Sequence, residues 1–157
     1  MFRIGFGFDS HSFEEGKPLV LGGVLIDFPK GLKAHSDGDV LLHALTDALL
    51  SAVGEEDIGQ LFPDKDPQWK SAPSSLFLKS ALERVSKKGY EIINLDCTLI
   101  GDEPKIAPIK GKIIQNLSLL LGIDRTRISI KGKTREGFCQ AEGIACFCVV
   151  LLQEKKA

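Results

Sequence analysis

The sequence predicts an α/β (α+β) two-layer sandwich: mainly a four-stranded sheet with helices on one face, plus a small β-hairpin. Strand-like runs alternate along the chain with helix-length amphipathic segments, the pattern of a sheet with helices packed against it. A Gly22-Gly23 pair between two short apolar runs adds the hairpin. The 157 residues, 43% hydrophobic and 26% charged, suit one domain, residues 1–157, with room for a core. No repeat, low-complexity segment or linker interrupts them.

Each element has a local reason. Residues 2–9 alternate apolar with small or polar positions and read as the first strand. Residues 18–21 and 24–27 flank the glycine pair. Ser36 and Asp37 are N-cap residue types, Gly38 marks a tight turn, and a helix follows over 39–53. Its Leu41, Leu42, Leu45, Ala48, Leu49 and Ala52 recur at helical spacing. Residues 57–62 read as a short turn of helix. A polar loop then runs from Pro63 to Ser75, long enough for a lid or binding loop. A helix over 75–87 ends at Lys87-Lys88-Gly89. A strand over 90–100, a loop at 101–104 and a helix over 107–121 follow. Strands at 127–131 and 143–152 flank a Gly-bounded loop, 132–138.

Composition excludes several classes of function. The net charge of −1 leaves no basic footprint for nucleic acid. No apolar run approaches the roughly 20 residues that span a bilayer. The sequence enters a strand-like run at once, so no signal or transit peptide is expected. Cys97, Cys139, Cys146 and Cys148 form no C-x-x-C pair, and most lie in apolar strand-like runs. All four are therefore expected to be reduced structural thiols, as suits a cytoplasmic protein.

The chemistry concentrates on the histidines, of which there are three: His11, His35 and His43. Asp9 and His11 are two apart and share one face of a strand. His43 sits inside an apolar helical stripe, where a polar ring needs a partner. Two imidazoles and a carboxylate are a common catalytic zinc set, with a position left for substrate. Asp47, one helical turn from His43, is expected to orient a ligand ring. His35 and Ser36 precede a helix N-terminus, whose free N–H groups and dipole attract anions. Lys105, Lys133 and Thr134 are phosphate-type residues in loops. The loop carboxylates Asp57, Asp64 and Asp66 read as turn residues, or as partners for a polyol or a metal.

Ser36-Asp37-Gly38-Asp39-Val40-Leu41-Leu42-His43-Ala44-Leu45-Thr46-Asp47-Ala48-Leu49 resembles the signature of the 2-C-methyl-D-erythritol 2,4-cyclodiphosphate synthases. Arg3-Ile4-Gly5, Gly7-Phe8-Asp9-Ser10-His11, Asp57-Ile58-Gly59, Leu61-Phe62-Pro63-Asp64, Pro104-Lys105 and Ala141-Glu142-Gly143-Ile144-Ala145 match in order. The resemblance implies a single catalytic domain in the non-mevalonate route to isoprenoids. It would convert 4-diphosphocytidyl-2-C-methyl-D-erythritol 2-phosphate into the cyclic diphosphate and CMP. It also implies a homotrimer with active sites between subunits. Zn²⁺ would be held by Asp9, His11 and His43, and a second ion, Mg²⁺ or Mn²⁺, by Glu136. His35 and Thr134 match residues of transition-state stabilisation. Substrate contacts would come from Asp9, His11, His35, Ser36, Asp57, Ile58, Gly59, Phe62, Pro63, Asp64, Lys65 and Asp66. Further contacts would come from Lys105, Ile106, Ala107, Lys133, Thr134, Arg135, Glu136 and Phe138.

The chain departs from the common pattern at Phe6, at Lys133 and Arg135, and in a short segment from Gly137 to Gln140. Gln140 replaces an arginine that in many relatives lines an apolar channel on the trimer axis, which counts against a bound prenyl diphosphate. Two other functions use the same residues. One is a zinc-dependent phosphoesterase that activates water. The other is a non-catalytic trimeric binding protein of the same fold.

Overall fold

The computed structural model describes residues 1–156. Its strands are β1 (Phe2–Glu15), β2 (Leu19–Leu21), β3 (Val24–Ile26), β4 (Lys30–Leu32), β5 (Tyr90–Ile100), β6 (Ile128–Lys133) and β7 (Gly143–Glu154). Its helices are α1 (Val40–Ala52), α2 (Ile58–Leu61), α3 (Ser75–Lys87) and α4 (Lys110–Leu121). Single 3₁₀ turns cover Pro67–Trp69 and Arg125–Arg127.

The main sheet has the order β4-β1-β7-β5-β6, and β2-β3 forms a separate hairpin. All pairs are antiparallel except β5 with β6, which α4 connects, since parallel neighbours need a crossover. The expected four long strands are all present. A fifth, β4, is only three residues long and is defined by pairing with the end of β1, Phe13 opposite Leu32. No hydrophobic period can develop in three residues. The first strand likewise runs past residue 9 to Glu15 because β7 and β4 supply partners. The fourth helix begins at Lys110 rather than 107, since Pro108 disfavours helical backbone at Ala107.

Helix α1 lies directly on β1. A Cβ on Gly5 would fall 1.8 Å from the carbonyl oxygen of Ala48, and one on Gly7 1.8 Å from that of Ala44. Only glycine under a small-residue helix stripe permits this approach. Leu41, Leu45 and Leu49 of α1 are fully buried with Val150, Leu152, Leu95 and Leu99 of the sheet. Burying each such side chain is worth roughly 1.5–3 kcal/mol relative to exposure. The other face of β1 and β7 carries Phe2, Ile4, Phe6, Phe8 and Val149, which are 44% to 75% exposed as a group with Met1.

The cysteines correct the expectation of four reduced structural thiols. Cys97 and Cys148 are opposed in register on β5 and β7 and form a disulfide. Cys146 is a buried thiol and Cys139 an exposed one. The disulfide follows from strand register between residues 51 apart, which sequence spacing does not reveal.

Candidate functional site

The alternation of β1 sends Gly5, Gly7, Asp9 and His11 to the face under α1. The two glycines hold the middle of the helix, and its first turn then overhangs the two polar residues. There the Oδ2 of Asp9 lies 2.8 Å from His11 Nε2 and 2.9 Å from His43 Nδ1, and the two ring nitrogens are 3.2 Å apart. Tetrahedral ligands at zinc-type bond lengths of ~2.0–2.1 Å sit about 3.3 Å apart, close to this spacing. Three potential ligand atoms converge within 4.8 Å of one another, so the donor set fits a divalent metal. Burial would raise the Asp9 carboxyl, but hydrogen bonds and charge from His11 and His43 bring it down to about 2. Burial pulls His43 down, and the Asp9 hydrogen bond and charge outweigh it, raising the ring above its ordinary value.

Three local expectations change. The N-cap of α1 is Asp39, not Ser36 or Asp37; its Oδ1 accepts from Leu42 N at 3.0 Å. The same carboxylate accepts from Gly22 N at 2.9 Å and Gly23 N at 2.7 Å, so the hairpin is tied to the helix. A buried carboxylate therefore already occupies this N-terminus, which is not a free anion site. Asp47 does not orient a ligand ring; its Oδ1 accepts from Ile58 N at 2.8 Å and anchors α2.

A cleft of about 270 Å³ opens beside the cluster. Asp9, His11, His35, Ser36, His43, Ile58, Gly59, Phe62 and Asp64 line it. Lys33 and Ala34 line it too, although no motif in the sequence singles them out. Lys17 Nζ donates to the carbonyls of Ala34 and Ser36, both at 3.0 Å, and steadies this loop. Asp57 caps α2 through Gln60 N, and Asp66 caps the 3₁₀ turn through Gln68 N. Pro63 and Lys65 are exposed on the loop and do not line the cleft. That loop is held down by an aromatic cluster: Phe62 lies 4.7 Å from Phe77 and 5.2 Å from Trp69, centroid to centroid. Ser71 N donates to His35 O at 2.8 Å and Asp37 N to Ala72 O at 3.2 Å, so the loop also fixes the His35 strand of chain.

A second cleft, about 260 Å³, lies at the ends of β5 and β6. Lys105, Ile106, Ala107, Lys133 and Thr134 line it, joined by Lys110 and Lys131, which the sequence pattern does not mark. Ile106 packs on Gly132, where a Cβ would meet it at 2.7 Å. Thr134 Oγ1 donates to Glu136 Oε1, and Glu136 has a left-handed backbone, φ 51°. The guanidinium of Arg135 is engaged elsewhere: Nε and NH2 reach Asp102 Oδ2 at 2.9 and 2.5 Å, and NH1 reaches Ala141 O. Phe138 is 96% exposed. His35 and Thr134, expected to act together, thus line different clefts of one chain, and Glu136 is not among the residues of the His43 cleft.

A carboxylate and two imidazoles converging on a helix–sheet seam, with a lysine-lined cleft on the same sheet, describe an enzyme with a candidate metal site and a cationic cleft. The chain belongs to the YgbB family, whose model matches residues 2–153. It is 62% identical over 150 residues to a 2-C-methyl-D-erythritol 2,4-cyclodiphosphate synthase of Aquifex aeolicus, covering 96% of each chain. It is 52% identical to the chloroplastic synthase of Arabidopsis thaliana, covering 98% of this chain and 68% of that one. A solved synthase structure described as a CDP-bound form superposes with a TM-score of 0.90 at 46% identity, covering 96% of this chain and all of that one. The bifunctional IspDF from Campylobacter jejuni superposes with a TM-score of 0.92 at 44% identity; the match covers 98% of this chain and 42% of that one.

Proposed function

We propose that this chain is a cyclase that makes 2-C-methyl-D-erythritol 2,4-cyclodiphosphate in isoprenoid biosynthesis. An oxygen of the substrate's own 2-phosphate attacks the β-phosphorus of 4-diphosphocytidyl-2-C-methyl-D-erythritol 2-phosphate. A new P–O bond forms, the bond from the β-phosphorus to the bridging oxygen breaks, and CMP leaves with that electron pair. The observation that carries the reading is the Asp9–His11–His43 cluster in a chain so similar to synthases by name.

The attacking oxygen is already anionic, so the protein needs no strong base; its task is placement and charge neutralisation. Asp9, His11 and His43 would hold Zn²⁺, and Glu136 would help hold Mg²⁺ or Mn²⁺; such ions supply positive charge and a template for the phosphates. Lys105 and Lys133 attract the nucleotide phosphates, with Ile106 and Ala107 beside them. Asp57, Ile58 and Gly59 receive the erythritol end, and His35 and Thr134 stabilise charge in the transition state. Phe62, Pro63, Asp64, Lys65 and Asp66 belong to a loop that keeps water from the diphosphate. A polyanionic substrate does not cross a bilayer unaided, which supports a cytoplasmic location.

A homotrimer with shared sites accounts for two features. The apolar face of Phe2, Ile4, Phe6 and Phe8 has no cover in one chain and suits burial against copies of itself. The separate clefts of His35 and Thr134 become one site if a head-to-tail interface joins one subunit's metal cleft to its neighbour's lysine cleft.

The test is turnover of the diphosphocytidyl substrate, with CMP release and product analysis. A cyclic diphosphate supports the reading; a linear product would establish a phosphoesterase, and no turnover a binding protein. Purified protein should hold about one zinc per chain. His43→Ala should lose both the metal and the activity, as measured by elemental analysis and CMP release.

A further inference from the structure

We propose that Asp37 and Ser74 fix the imidazole of His43 in its Nε2–H tautomer and so turn the Nδ1 lone pair toward the metal position. The inference rests on the metal-centre reading above and adds two positioning residues that touch neither metal nor substrate. Ser74 is the N-cap residue of α3, yet its side chain makes no capping hydrogen bond. A serine there ordinarily accepts from the N–H groups of the first turn. Its hydroxyl, fully buried, instead lies between Asp37 Oδ1 and His43 Nε2, the latter at 2.7 Å.

The proton count settles the direction. Asp37 acts as an acceptor throughout: Oδ2 takes Ser74 N at 2.9 Å, and Oδ1 takes Asp39 N at 3.0 Å together with the Ser74 hydroxyl. A serine hydroxyl has one proton, and an ionised carboxylate can only accept. The Ser74 proton therefore goes to Asp37, which leaves Ser74 Oγ an acceptor toward His43. A lone pair on Nε2 would face another lone pair at 2.7 Å, so Nε2 carries the hydrogen. Ser36 Oγ, 3.1 Å from the same nitrogen, accepts from Gly38 N and leaves this assignment unchanged. With a metal bound, Asp9 ligates the ion instead of accepting from Nδ1, and a ring with Nε2–H then turns its Nδ1 lone pair toward the position between Asp9 and His11. A hydrogen-bond partner on the far nitrogen commonly orients a ligating histidine in this way.

The test uses zinc-loaded protein labelled with ¹⁵N-histidine, in which three rings are easily assigned. Long-range ¹H–¹⁵N spectra should show His43 with a protonated Nε2 and a metal-bound Nδ1. Chelator competition should show Ser74→Ala binding zinc 10- to 100-fold more weakly, the usual loss for such a partner. Ser74→Thr, which keeps the hydroxyl, should recover most of that loss. An Nδ1–H ring, or Ser74→Ala with wild-type affinity, overturns the proposal. If Ser74→Ala fails to fold, the wild-type spectrum decides alone. If wild-type protein binds no zinc, the metal reading fails. The relay is then read from the His43 ring ¹⁵N shifts of metal-free wild type and Ser74→Thr: matching shifts that Ser74→Ala alone displaces sustain it, and identical shifts in all three proteins overturn it.

Discussion

The carboxylate of Asp39 is fully buried and receives N–H groups from Leu42, Gly22 and Gly23. Burial nevertheless dominates and pushes its pKa up to about 6, against hydrogen bonds that favour the charge. A carboxyl raised on folding binds its proton more tightly in the native state. Its contribution to stability is complete below the unfolded value of 3.8 and is lost as pH rises through about 6. That loss amounts to about 3 kcal/mol by linkage, at 1.36 kcal/mol per pKa unit. Asp39→Ala should abolish this decline between pH 4 and 6. It should also lower stability by about 3 kcal/mol or more at pH 7, since the buried N–H groups of Leu42 and Gly22 and the part-buried one of Gly23 lose their acceptor at ~1–3 kcal/mol each. Urea unfolding of both proteins across that pH range checks the two expectations.

Among the elements, the loops after β5 and β6 depend on each other. Gly101 N donates to Lys133 O at 2.9 Å, extending the parallel ladder one residue beyond the strands. Asp102 then accepts from Arg135 N, Nε and NH2, and Lys105 Nζ donates to Asp102 O at 3.0 Å. Hydrogen bonding to Arg135, side chain first and backbone second, holds the Asp102 carboxyl below the usual range. Arg135→Gln should loosen the loop 135–142 without unfolding the core, because the guanidinium's hydrogen bonds go to the loop residues Asp102 and Ala141. Amides of residues 136–141 should exchange on the order of tenfold faster, with β5 and β7 unchanged. Equal exchange in variant and wild type would show that Arg135 does not hold the loop.

At the scale of the whole molecule, one side of the sheet is covered by α1 and the other is aromatic and exposed, with the tilted rings of Phe8 and Phe147 4.8 Å apart, centroid to centroid. Phe8→Asp should therefore yield monomers by light scattering and lose turnover, although α1 and the cluster on the opposite face remain. The shared site is tested by complementation. His43→Ala and Lys105→Ala, each inactive, are unfolded together and reassembled. Random cyclic assembly at equal amounts joins an intact metal half to an intact lysine half in about one quarter of interfaces. Roughly that fraction of wild-type activity should return if the sites act independently. Mixed trimers that stay inactive would rule out a site between subunits.

Much of this is local and so was written in the sequence. The α1 stripe, the Gly22-Gly23 turn and the four long strands follow from hydrophobic period and turn chemistry, which act over a few residues. Asp9 and His11 share a strand face by simple alternation, and the scarcity of histidine drew His43 into the same set. What the sequence could not decide lies in contacts between distant segments. Asp39 rather than Ser36 or Asp37 caps α1 because the hairpin glycines come to meet it. Ser74 reaches His43 across 31 positions, and Asp47 turns to Ile58 because α2 docks there. Cys97 meets Cys148 through register alone, and β4 exists only because β1 extends to pair with it. Periodicity tells a residue which way to face; only the packed chain supplies the partner that it finds there.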